Sequence, residues 1–168
     1  MTTNTNTILF SKINPSSNAQ IPSKRDEDMC YDVYACFDED RMVIPPHSTI
    51  LVPTGIASAM DSKYGISLRE RGSTGSIGMK ISSGQIDAGY RGSWFVALTN
   101  INELPISIDK DVTKTTITED FILYPYTKAI CQAKVEEVPK MEIREISYEE
   151  LLKISSERGI GKIGSSGK

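Results

Sequence analysis

The chain has 168 residues, is 39% hydrophobic and 24% charged, and carries a formal net charge of −3. That length and balance suit one folded domain rather than a disordered chain, and the acidic surplus argues against broad binding to nucleic acid, which needs a basic face. No apolar run approaches the roughly 20 residues that cross a bilayer, and the start, rich in threonine and asparagine, lacks the basic and apolar stretches of a secretory signal.

Strand signals dominate the chain. Residues 7–13 alternate polar and apolar side chains, and so do Arg41–Ile44 and residues 49–52. Residues 93–100, with Trp94, Phe95, Val96 and Leu98, and residues 129–138 read as further strands. Proline and glycine punctuate the sequence at short intervals from Pro15 to Pro139. Many short strands so divided predict an all-β sandwich or a jelly roll. Residues 109–120 are polar and β-branched, and read as an exposed hairpin or loop inserted in that scaffold.

Only residues 147–154 look helical, with Ser147 as N-cap and Glu150 three residues on, a capping box. From Ser155 onward, Gly159, Gly161, Gly164 and Gly167 and the interspersed serines leave little to bury. Such a tail cannot hold one conformation without a partner. A single domain over residues 1–168 is expected, with a core at about 7–154 and a flexible glycine- and serine-rich arm at about 155–168.

Three cysteines, Cys30, Cys36 and Cys131, and one histidine, His47, show no C-x-x-C or grouped spacing. They read as free structural thiols and a loop histidine, not as a zinc site. The richer stretch is residues 84–92, where Asp87 and Tyr90 sit among Gly84, Gly89 and Gly92 just before a strand. Glycine there permits close approach of backbone to a ligand. An ordinary hairpin, with a turn aspartate and a packing tyrosine, is the competing reading of this stretch alone.

It does not stand alone. Cys30-Tyr31-Asp32-Val33-Tyr34-Ala35, Glu70-Arg71-Gly72-Ser73-Thr74-Gly75, residues 84–92, Ala129-Ile130-Cys131-Gln132 and residues 158–167 follow one another in order. The set resembles the homotrimeric deoxyuridine triphosphatases, or dUTPases, in a form similar to those of phages and Gram-positive bacteria. The third and fifth motifs are the specific ones. The resemblance covers roughly residues 7–168. It implies a jelly-roll (β-clip-like) subunit with one short helix, a homotrimer whose sites are shared between subunits, and Mg²⁺-dependent cleavage of dUTP to dUMP and pyrophosphate. With no basic face, spanning run or secretory signal, a cytoplasmic protein is expected, or one of the host cytoplasm if phage-encoded, with no membrane or nucleic-acid partner.

Residue by residue, Asp87 matches the acid that activates the attacking water; carboxylates are ionised at neutral pH without assistance. Tyr90 matches the ring that packs on the deoxyribose and leaves no space for a 2′-hydroxyl. Gly84 and Ile86 belong to the same substrate-binding motif. Asp32 matches the acid that orients water on Mg²⁺, although Met29-Cys30 stands where Ala-Gly is usual. Arg71 matches the phosphate-binding arginine, and the Gly72-Ser73-Thr74 run after it supplies amides and hydroxyls for anions. Gly72 replaces a common serine. Arg69 lies two residues earlier, and Arg71 is preferred because that run follows it directly. Gln132 matches the glutamine of the fourth motif. Arg158, with Gly164, Ser165 and Ser166, matches the arm that wraps the terminal phosphates. Ile163 stands where many members carry a phenylalanine that stacks on uracil; Trp94 and Phe95 are substitutes for the ring, and sheet alternation allows at most one of them to serve.

Two rivals follow. A dCTP deaminase shares the scaffold but needs an additional acid near the pyrimidine, and no glutamate stands beside the third motif. A nucleotide-responsive regulatory protein would use the insertion to dock a repressor-type partner.

Overall fold

The computed structural model describes residues 6–161, and these form a jelly roll of thirteen short strands. In chain order they are β1 (Leu9–Lys12), β2 (Tyr31–Val33), β3 (Arg41–Ile44), β4 (Thr49–Pro53), β5 (Ile56–Ala59) and β6 (Tyr64–Arg69). After a one-turn helix α1 (Gly72–Gly75) come β7 (Met79–Ser83), β8 (Gln85–Ile86), β9 (Phe95–Asn100) and β10 (Ile106–Asp109). Then follow β11 (Thr116–Ile117), β12 (Ile122–Pro125), β13 (Cys131–Glu137) and helix α2 (Tyr148–Leu152).

Four sheets share one core: β1-β5, β11-β12-β10-β3, β2-β13-β6-β8 and β4-β9-β7. Only β10 and β12 pair in parallel among the described residues. Trp94, Tyr124, Ile44, Ile56, Met79 and Leu98 fill the space between the sheets and are completely buried. Each apolar side chain of that size contributes about 1.5–3 kcal/mol when removed from water.

Alternation decides which aromatic is inside. Trp94 is fully buried, meets Phe10 edge-on at 5.4 Å and donates from Nε1 to Ser58 Oγ at 3.2 Å. Its neighbour Phe95 is 47% exposed. Trp94 is therefore a core residue, and no ligand can reach its ring.

One expectation needs correction: among the described residues there are two short helices, not one. The Gly-Ser-Thr-Gly composition of α1 disfavours helix in isolation. Its turn closes because Thr74, fully buried, accepts from the Arg71 N–H (3.0 Å) and donates to the Arg71 carbonyl (3.1 Å) through the same Oγ1. The expected capping box of α2 is present, with Glu150 N–H donating to Ser147 Oγ at 3.2 Å and Ser147 N–H to Glu150 Oε2 at 3.0 Å.

The inserted segment is anchored at its base and open at its tip. Lys110 donates to Asp38 O at 2.8 Å and lies over the rings of Phe37 and Tyr126. Beyond it, β11 turns back onto β12 as an exposed edge hairpin.

Candidate active site

Register builds the first half of the site. In β2 and β13 Asp32 stands opposite Gln132, and in β13 and β6 Gln132 stands opposite Arg69. Three adjacent strands thus bring a carboxylate and a carboxamide abreast at the end of β6, where the chain runs on through Glu70 to Arg71. Arg71 turns its guanidinium back over this end. Its Nε meets Asp32 Oδ1 at 3.0 Å and its Nη2 donates to Asp32 Oδ2 at 3.3 Å, a fork-to-fork pair. Nη1 donates to Ala129 O at 3.3 Å and to Ser73 Oγ at 3.4 Å.

The layer beneath is fully satisfied. Tyr124 is buried, and its hydroxyl donates to the Ala129 carbonyl at 2.7 Å, the oxygen that Arg71 also uses. Burial pushes the Tyr124 hydroxyl up from its ordinary value, so it remains a donor. Gln132 Nε2 donates to Glu70 O at 2.8 Å. The Glu70 carboxylate accepts the Ile81 N–H at 3.2 Å, and hydrogen bonds from its own and the Ile81 amides hold it below the usual carboxylate range. Arg69 points elsewhere, toward Glu136 at 3.5 Å.

Asp32, Arg71, Ser73 and Gln132 line an open cleft of about 880 Å³, together with Gly72 and the loop carrying Lys24, Arg25, Asp28 and Cys30. Sequence reasoning missed that loop, because a run such as Lys-Arg-Asp-Glu-Asp reads as solvated surface. The Lys24-Arg25 doublet so near Asp32 was the available signal. Thr74 does not line the cleft; its hydroxyl is spent on the Arg71 backbone. Cys131 lies under the site, where burial pushes its thiol up and makes it unreactive.

Asp87 and Tyr90 are not in this cleft. β8 lies at the opposite edge of the same sheet from β2, and pairs Ile86 with Ile66. Three strand spacings of about 4.8 Å and some four residues at about 3.3 Å each put Asp87 roughly 20 Å from Asp32 within one chain. Gly84 is required there: a Cβ would fall 2.6 Å from Leu68 Cβ, where Leu68 N–H donates to Gly84 O at 2.6 Å. Ile86 is buried behind the turn, and Asp87 is exposed at its head. Tyr90 N–H donates to Asp87 O at 3.0 Å, and the Tyr90 hydroxyl to Ser93 O at 3.0 Å. The ring folds back over Gly92, where a Cβ would sit 2.6 Å from the hydroxyl-bearing carbon. The ring stays 44% exposed.

The arm lies apart from both. Residues 139–161 are exposed throughout, and Arg158 Nε donates to Gly161 O at 3.3 Å in a turn. Ile163, Gly164, Ser165 and Ser166 fall outside the described residues.

No group of three or more His, Cys, Asp or Glu side chains gathers for a metal among the described residues. Mg²⁺ fits the cleft nonetheless, since it commonly takes one or two carboxylates and completes its shell with water and substrate phosphates. Asp32 is the carboxylate in contact with Arg71 on the cleft wall.

A protein-family model described as dCTP deaminase-like matches residues 3–117. Over 153 residues the chain is 33% identical to the deoxyuridine 5′-triphosphate nucleotidohydrolase of Mycobacterium marinum, covering 88% of this chain and 87% of that protein. The dUTPase of Staphylococcus bacteriophage 80alpha, solved with dUpNHpp, superposes with a TM-score of 0.74 over 98% of this chain and all of that one, at 20% identity. A dUTPase mutant from Staphylococcus aureus phage phi11, described as coordinating a structural Mg(II) ion, gives a TM-score of 0.64 at 19% identity, covering 86% of this chain and 99% of that one.

Proposed function

The chain belongs to the dUTPase family, and from that premise we propose that it hydrolyses dUTP to dUMP and pyrophosphate by attack of water on the α-phosphorus. The observation that carries this reading is the Asp32–Arg71–Gln132 cleft, with an arginine fork fixed by two layers of bonds at the mouth of an anion-sized opening.

Arg71 binds a phosphate oxygen with the one N–H that Asp32 leaves on Nη2, and with Nη1 where Ser73 gives way, while Asp32 and Ala129 O hold the guanidinium plane. Gly72 and Ser73 add an amide and a hydroxyl beside it. Asp87 takes the proton of the attacking water, and Tyr90 covers the deoxyribose. Asp32 would hold Mg²⁺ through water, and the ion would then offset phosphate charge, the kind of stabilisation that usually accelerates such reactions most. Arg158 and the glycine-serine residues after it close over the terminal phosphates and exclude water.

The roughly 20 Å between Asp87 and Asp32, estimated from strand spacing, supports a site assembled between subunits, a homotrimer in which one copy supplies the cleft, another the Asp87 turn, and the exposed arm reaches across. The test is pyrophosphate release from dUTP, dCTP, dTTP and UTP, with and without Mg²⁺, alongside sedimentation. Mg²⁺-dependent hydrolysis of dUTP alone by a trimer is expected. An ammonia-releasing product from dCTP would favour the deaminase activity instead, and an active monomer would overturn the shared site.

A further inference from the structure

The turn that carries Asp87 and Tyr90 has little of its own to hold it. Asp87 is exposed, and a Cβ on Gly89 would meet open space. Arg91 is the exception. Its Nη1 lies 2.6 Å from Ala88 O, 3.0 Å from Tyr90 O and 3.3 Å from Ser58 O on β5. One guanidinium nitrogen thus gathers two carbonyls of the turn and one of a neighbouring strand.

That strand is a fixed point. Ser58 is buried, and its hydroxyl accepts from Nε1 of the fully buried Trp94. Trp94 is locked in turn, since its N–H donates to Ile56 O at 2.8 Å and its carbonyl accepts from Thr54 Oγ1 at 2.8 Å. Charge-assisted donation from a planar guanidinium suits such a convergence of carbonyls better than a neutral donor does. No carboxylate pairs with Arg91 among the described residues, so the carbonyls are its partners.

We propose that Arg91 is a positioning residue that staples the Asp87–Tyr90 turn to β5 and thereby fixes the ring position that separates dUTP from UTP. This rests on the function proposed above. Rejection of a 2′-hydroxyl needs a hard clash, because an apolar surface free to yield rejects an added hydroxyl by only about 10²-fold. The Tyr90 ring is bounded by Gly92 and Ser93 O on its hydroxyl side. Arg91 holds the backbone from which that ring projects, at Tyr90 O.

The test compares Arg91→Met with Arg91→Lys, which keeps a charged donor. kcat and KM are measured for dUTP and UTP, with thermal melting and amide exchange across residues 87–92. In the Met variant kcat/KM for dUTP should fall by about tenfold to a hundredfold, the scale of a small misplacement at a reacting centre. Its preference for dUTP over UTP should fall at least about tenfold, because the ring can then yield. Exchange in the turn should quicken with little change in melting temperature, and Lys should restore most of both readouts. A Met variant with wild-type preference and wild-type exchange overturns the proposal, as does a Lys variant no better than Met. If the wild-type protein fails to hydrolyse dUTP, the proposed function falls, and amide exchange still decides the staple.

Discussion

The cleft around Arg71 and the turn around Asp87 sit on opposite edges of one sheet and are built on opposite principles. In the cleft every functional side chain is bonded to another part of the site: Arg71 to Asp32, Gln132 to Glu70 O, Tyr124 to Ala129 O. In the turn the reactive groups face outward, and what order they have comes from Tyr90 folding on Gly92 and from Arg91. A preformed anion cleft needs nothing more from its own chain. The turn, by contrast, has its groups ready for a ligand presented from outside. Under the proposed function one half of the site would bind and the other half would react.

The sharpest way to break that contrast is Asp87→Asn. Turnover should fall by about 10²–10⁴-fold, the range of a positioned general base, while dUTP binding measured by calorimetry is retained. Near-normal turnover would remove Asp87 from the reaction. Next in size is truncation after Glu157, which takes away Arg158 and the remaining arm. Loss on the order of 10²-fold in kcat is expected, as for loss of a donor to developing charge, with an unchanged oligomer in sedimentation. Melting temperature should hardly move, since Ile160 is 79% exposed.

A smaller effect tests the rigidity of the cleft. Tyr124→Phe leaves Ala129 O to Arg71 alone, and should lower kcat/KM by roughly fivefold, mainly through KM, for one hydrogen bond of about 1 kcal/mol. An effect confined to melting temperature would make Tyr124 a core residue only. The smallest concerns acid stability. The Glu70 carboxyl is held below its ordinary value of 4.5, so the stability it brings is complete above that value and is lost as pH falls through the lower folded value. Glu70→Gln should therefore melt below wild type at pH 7, with the gap closing as pH falls below 4.5. A gap independent of pH would show that the charge contributes nothing.

Much of this was legible in the chain, for identifiable reasons. The span Arg41–Ile44 is a strand as its alternation predicts, and Ser147 with Glu150 caps α2. These are local signals, carried by neighbours a few residues apart. The Trp94–Phe95 pair divides between core and surface by the same two-residue period. Helix α1 was hidden because its stability comes from one buried hydroxyl closing on Arg71, against the preference of two glycines. The cleft's loop wall was hidden because charge patterning cannot say what a solvated run stands beside. The separation of Asp87 from Asp32 was open to sequence only through the family resemblance, since it depends on which strands are neighbours.

The pairing of Asp32 with Gln132 also carries a lesson about time. The two residues lie at opposite ends of the folded core in sequence, and β13 is its last strand. A ribosome must deliver nearly the whole chain before β2 has its partner, so neither the central sheet nor the cleft can exist on a partial chain. Closing loops of that span comes before any contact rewards it, which for all-β topologies places folding at about milliseconds to seconds rather than microseconds. During synthesis β6 is also without its main neighbour, and its hydrogen-bonding edge stays unpaired until residues 131–137 arrive. Aggregation of nascent or prematurely ended chains should accordingly begin at β6.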